Sequence, residues 1–184
     1  MTDRDVYGPA ALLTAAAATF ARLGYRRTTM DAVARAAGCS RQLLYLKYES
    51  KERLFQATVS HALGSQLADA ASALKAHGRQ ATRIAAALTA WLGPHAISSA
   101  RDAGELTEAT RQLSAAIASE LEGSFLALLA AALGTEPSSY GKAQARLLLF
   151  ASHEIKRRSV SLKEMHTGIL AAVRALPLTD VDHD

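Results

Sequence analysis

The residues best equipped for chemistry lie between Thr28 and Lys51, and the chemistry they suit is recognition of a polyanion. Ser40, Arg41, Gln42, Tyr45 and Lys47 fall within eight positions. A guanidinium or carboxamide can make paired hydrogen bonds to a base edge, while hydroxyls, a phenol and an ammonium suit phosphate oxygens. Thr28, Thr29 and Lys51 stand at two further helix starts, where free backbone N–H groups add partial positive charge. The charge distribution agrees. Of a net +4, the stretch through Ser60 holds nine Lys/Arg against five acids, whereas the rest of the chain holds twelve of each. Only the amino-terminal third has the charge excess to attract a polyanion.

Other chemistries lack their residues. His61, His77, His95, His153, His166 and His183 show no i, i+4 pairing and no Cys partner, as a zinc site would need. No Ser-His-Asp order, Gly-rich phosphate loop or paired carboxylate motif stands on a strand-to-helix turn. The expectation is therefore no enzyme, no metal and no cofactor. One cysteine excludes an internal disulfide, and Cys39 fits a buried turn filler better than a redox switch. The longest unbroken apolar run, Phe125 to Leu133, is nine residues, short of the roughly 20 that cross a bilayer. The first seven residues read as neither a secretory nor a transit signal. A cytoplasmic protein without a membrane partner is expected.

The elements that must position these groups are helical. Forty residues are Ala and only eleven are Val or Ile, which favours helix and disfavours sheet. Leu12, Leu13, Ala16, Phe20 and Leu23 form one apolar stripe on a helix ending at Gly24. Met30, Val33, Ala34 and Ala37 form another, capped by Thr28 or Thr29 and stopped by Gly38. Ser40 caps a third helix from Arg41 to about Lys47, and Ser50 a fourth that starts at Lys51 and runs to the Gly78 break. Later helices are expected at about Arg79 to Ala96, Glu105 to Leu133, Ser139 to Arg158 and Ser161 to Leu176, followed by a frayed tail from Pro177.

Between Met30 and Tyr48 the spacing is that of a helix-turn-helix. A small residue sits where two helices touch (Ala34), a residue tolerant of positive φ in the turn (Gly38), and an apolar anchor on the second helix (Leu44). From Ala10 to about Val59 the chain resembles the DNA-binding domain of the tetracycline-repressor (TetR) family. The resemblance rests on Phe20, Gly24-Tyr25, Thr28-Thr29-Met30, Val33-Ala34, Ala37-Gly38, Ser40-Arg41, Leu44-Tyr45 and Ser50 to Phe55, in one register without gaps.

The resemblance implies an all-α chain in two parts: a three-helix DNA-binding domain over 1–55, and a helical effector-binding and dimerisation domain over 56–184. It implies DNA contacts from Thr28 or Thr29, Ser40, Arg41, Gln42, Tyr45 and Lys51, to which the charge of Lys47 adds a phosphate contact. Leu43, Leu46 and Lys47 depart from the family pattern. Leu46 has two readings, packing on a thymine methyl or facing the core. Tyr48, at the family's Phe position, reads as core, and Arg26 and Arg27 read as a solvated loop more readily than as a DNA contact.

In the carboxy-terminal part, Leu162, Met165, Ile169, Leu170, Val173 and Leu176 make a stripe on the last helix, and Ala143, Leu147 to Phe150 and Ala151 offer a face on the one before. The resemblance implies a homodimer through about 140–176, as two DNA half-sites require; the other reading is that both stripes close the monomer's own core. Lys156-Arg157-Arg158 reads as cations favourable to a helix end. Trp91, His95, Phe125 and His153 are the large or titratable groups that an effector pocket would use. The partners expected are a double-stranded DNA operator, a second copy and an unidentified small-molecule effector. The competing reading is a helical interaction protein that kept the fold without effector response or operator selectivity.

Overall fold

A computed structural model describes residues 8–93, 100–134, 139–176 and Leu178. The described residues form helices and no strand. In chain order these are α1 (Pro9–Arg27), α2 (Met30–Ala37), α3 (Arg41–Tyr48), α4 (Lys51–Lys75), α5 (Gln80–Leu92), α6 (Ala100–Leu113), α7 (Ala115–Ala132), α8 (Ser139–Arg158) and α9 (Leu162–Arg174).

They sort into two compact units that are not consecutive stretches of chain. One takes α1 to α3, α4 through Gly64, α6, and α7 through Ser119. The other takes the remainders of α4 and α7 with α5, α8 and α9. A single cut near residue 55 therefore does not describe the contacts, because α6 packs against α1.

Local chemistry explains the helix ends of the first unit. Pro9 opens α1, where its missing N–H costs nothing. The expected stop at Gly24 is a kink, with φ 76° and ψ 164°, after which the chain turns helical again to Arg27. Thr29 caps α2 by accepting from the Ala32 N–H at 3.1 Å, and Gly38 closes it in the left-handed region at φ 65°. Ser40 caps α3 by accepting from the Leu43 N–H, and Ser50 caps α4 by accepting from the Arg53 N–H. Leu12, Ala16, Phe20, Met30, Val33, Ala34, Leu44, Leu54 and Phe55 fill the core between these helices, joined by Ala109 of α6. The Phe55 ring meets Phe20 and Tyr25 edge-on, each with centroids 5.0 Å apart.

The helix expected over Glu105 to Leu133 is two helices, divided at Ser114. At the division the Leu113 carbonyl accepts from the Gln56 carboxamide at 2.8 Å, a bond from α4 that no local pattern announces. Near the other end of α6, Glu105 accepts from the Arg26 backbone N–H at 2.6 Å. These two bonds fasten α6 to α4 and α1.

The second unit packs α9 against α5 and α8. Its core holds Ile84, Leu88, Trp91, Phe125, Leu129, Leu148, Leu149, Met165, Ile169 and Val173. Helix α5 ends at Leu92, with Gly93 at φ 70°, four residues before the expected Ala96; residues 94–99 lie outside those described. Ser161 caps α9 by accepting from the Glu164 N–H, and the Glu164 carboxylate accepts from the Val160 N–H in return. The α9 stripe corrects one expectation. Met165, Ile169 and Val173 are buried in their own unit and not held out for a partner. Helix α7 is long and apolar enough by length and composition to cross a membrane. Its Glu120 and Glu122 interrupt the run, and Phe125, Leu126 and Leu129 face the unit's core.

Candidate nucleic-acid interface

Helix α3 has one buried side and one open side. Leu44 and Tyr48, four residues apart, point into the core; Leu44 is fully buried. Arg41, Gln42, Tyr45 and Lys47 are all exposed, as is the capping residue Ser40. Two core anchors per eight residues thus hold the helix while leaving the polar groups outward. Leu46 is 83% exposed, so of its two readings the inward one is excluded. Leu43 is half-exposed beside it.

The Arg41 guanidinium bonds Asp31 of α2 at 3.1 Å and lies 5.3 Å over the Tyr45 ring. Both ion-pair partners are more than half exposed, so water competes for the pair. Lys47 places its ammonium 5.6 Å over the Tyr48 ring. Burial pushes the Tyr48 hydroxyl and the Cys39 thiol up in pKa. Cys39 packs half-buried against the core and is held as a thiol.

The two threonines separate. Thr29 is exposed and caps α2. Thr28 is 1% exposed, and its hydroxyl donates to the Gly24 carbonyl at 2.6 Å. The same carbonyl accepts from the Thr28 backbone N–H at 3.3 Å, so both polar groups of Thr28 turn inward to it. As a DNA contact Thr28 is therefore withdrawn from the surface.

Lys51 is also partly committed. Its ammonium donates to the Tyr25 and Arg26 carbonyls at 3.2 and 3.4 Å and sits 4.5 Å over the Tyr25 ring. A cation at the carboxy-terminal end of α1 is favourable to the helix dipole. Sequence spacing did not suggest Tyr25 as its partner. The Tyr25 hydroxyl donates to Glu52 at 3.0 Å, and burial followed by that carboxylate pushes its pKa up to about 12. Arg26 and Arg27 are exposed, and the Arg27 Nε donates to the Leu23 carbonyl.

The residues proposed for an effector pocket do not converge. Trp91 and Phe125 are buried and stack on each other, with centroids 4.6 Å apart and planes 7° from parallel, so each fills space the other would have opened. His153 stands exposed on α8, and His95 lies outside the described residues. Desolvation by its neighbours, then the Lys156 ammonium, holds His153 below the usual imidazole range. A cavity of about 550 Å³ lies elsewhere in this unit, at the end of α4, and Trp91, Phe125 and His153 do not line it. Among the described residues no three His, Cys, Asp or Glu side chains gather as a metal-binding group.

Comparison with known proteins gives this arrangement a context. Residues 12–58 match the family described as bacterial regulatory proteins, tetR family. No curated protein matches the chain significantly by sequence. Among solved structures, the TetR family transcriptional regulator PfmR from Thermus thermophilus superposes with a TM-score of 0.63 at 19% identity, covering 88% of this chain and 96% of its own. The transcriptional regulator FadR from Bacillus subtilis, solved in complex with stearoyl-CoA, gives 0.66 at 16%, covering 90% and 97%. A protein described as the superantigen pfit gives 0.60 at 21%, covering 94% and 91%. At these identities the structures speak for the fold. Residues 12–58 are thus a tetR-family DNA-binding domain, carried on a chain that has the fold of that family's transcriptional regulators.

Proposed function

We propose that this chain is a cytoplasmic, ligand-responsive repressor that binds a near-palindromic operator as a homodimer and catalyses no reaction. One observation carries the reading: α3 is anchored by Leu44 and Tyr48 and turns Arg41, Gln42, Tyr45 and Lys47 outward together. Arg41 and Gln42 read base edges; Ser40, Tyr45, Lys47, Thr29 and Lys51 meet the backbone.

A second observation supports the dimer. On α8, Tyr140, Ala143, Leu147 and Phe150 follow steps of three and four and are all exposed, with Leu147 at 69% and Phe150 at 74%. That stripe faces a second copy, which supplies the second head for the other half-site. The regulator neighbour solved with stearoyl-CoA supports a response to a small molecule. Helix α4, which gives residues to both units, carries that response as a shift between two states of the heads.

Selection of operators from random DNA with the purified protein tests the reading, and enrichment of an inverted repeat is expected. Binding without any enriched sequence would replace it with the competing one, an interaction protein that kept the fold. The exposed Leu43 and Leu46 on α3 favour that competitor, as does the pfit neighbour.

A further inference from the structure

In the carboxy-terminal unit, the last turns of α4, the first turn of α5 and the end of α7 line a cavity of about 550 Å³, a size typical of small-molecule sites. Among the described residues its wall is alanine, glycine, leucine and isoleucine except for Lys75, Gln80 and Arg83, with no acid among them. Leu128, a little over one-third exposed, adds apolar surface there.

Two buried polar atoms of this wall have no partner among the protein atoms, Gln80 Oε1 and Arg83 Nε. Gln80 is more than nine-tenths buried. The other ends of both side chains are tied down. Gln80 Nε2 donates to the Ala132 carbonyl at 2.7 Å, and Arg83 Nη1 to the Leu74 carbonyl at 3.2 Å. The two residues are three apart on α5 and share a face, so an orphan acceptor and an orphan donor belong to the same wall. Leaving both unpaired forfeits their hydration without return. The first turn of α5 adds a positive field, since it has no acidic residue and no side-chain cap.

We infer that this cavity binds an amphipathic monoanion with a hydrogen-bond donor near its head. The carboxylate accepts from Arg83 and pairs with Lys75 at the rim. A neighbouring hydroxyl or amide N–H donates to Gln80 Oε1, and the aliphatic tail lies on Leu74, Ile84 and Leu128. Because both orphan atoms are covered, Arg83 and Gln80 change rotamer as the head group enters. As an effector site the cavity rests on the ligand-responsive reading above; as a binding site it does not need DNA to be tested.

The test is calorimetric titration of the full chain with 3-hydroxydecanoate and decanoate, each below its micellar concentration, and 1-decanol below its solubility limit. The hydroxy acid binds at one per chain, the plain acid more weakly, and the alcohol at least about tenfold more weakly than the hydroxy acid, since it lacks the charge-assisted bonds. Arg83→Gln lowers affinity for the hydroxy acid at least about tenfold, and Ala131→Phe, which fills the lumen without touching the polar groups, abolishes binding; circular dichroism confirms that each variant is folded. The comparison of three probes on the unaltered protein needs no variant. No binding by any probe, or equal binding of acid and alcohol, overturns the site. Binding that leaves operator affinity unchanged upholds the site and overturns the ligand-responsive reading instead.

Discussion

The Arg41 guanidinium lies 3.1 Å from Asp31 and 5.3 Å from the Tyr45 ring, on a surface open to solvent. An exposed ion pair contributes about 0–1 kcal/mol, whereas a bidentate contact to a base discriminates by about 1–3 kcal/mol. Under the proposed function, the pair is weak enough to yield to a base contact. Arg41→Ala is expected to weaken binding to the selected operator by about 1–3 kcal/mol and to relax preference at particular bases. Titration against single-base operator variants checks this; equal loss on every sequence would assign Arg41 to phosphate. Lys156 is the other residue with a measurable signature. Its ammonium donates to the Leu92 carbonyl at the end of α5, and burial pulls its pKa from 10.5 down to about 8. Between those values the unfolded chain holds a proton that the folded chain has released, so stability rises with pH across that window. The unfolding temperature of the native chain should therefore gain on that of Lys156→Met between pH 7.5 and 10, as thermal melts at both pH values would show.

At the scale of elements, the junction of α1, α6 and the start of α4 governs how the head is held. Gly24 combines φ 76° with ψ 164°, a region that essentially only glycine enters. A Cβ there would lie 2.9 Å from the Glu105 carboxylate, the group that accepts from the Arg26 N–H. Gly24→Ala is expected to cost about 1–3 kcal/mol from backbone strain, and displacement of Glu105 adds to it. Chemical denaturation reads the loss directly, and an unchanged midpoint would show that α1 straightens at no cost. The same junction gave the sequence reading its plainest error. Periodicity ran α6 and α7 together because no Gly or Pro marks the break at Ser114, while the Gln56 bond at the end of α6 comes from 57 residues away.

At the scale of the whole molecule, the exposed stripe of Tyr140, Ala143, Leu147 and Phe150 carries the assembly reading. Phe150→Glu places a charge on that apolar face and is expected to convert the proposed dimer to monomer. It should leave helix content unchanged, because the native ring is already exposed. Light scattering on both forms gives the masses, and a native chain that is monomeric would remove the stripe's role. What the sequence determined by itself is what local physics controls. Alanine richness and apolar spacing set the helices, hydroxyl caps and Gly38 set their limits, and the step from Leu44 to Tyr48 set which side of α3 faces out. These depend on neighbours within about one helical turn. Only the tertiary structure decided which apolar stripes find partners inside their own unit, that Thr28 turns inward while Thr29 does not, that Lys51 caps α1, and that Trp91 and Phe125 fill each other's space. Those outcomes rest on contacts between residues distant in the chain, and an amphipathic pattern says that a face must be covered without saying by what.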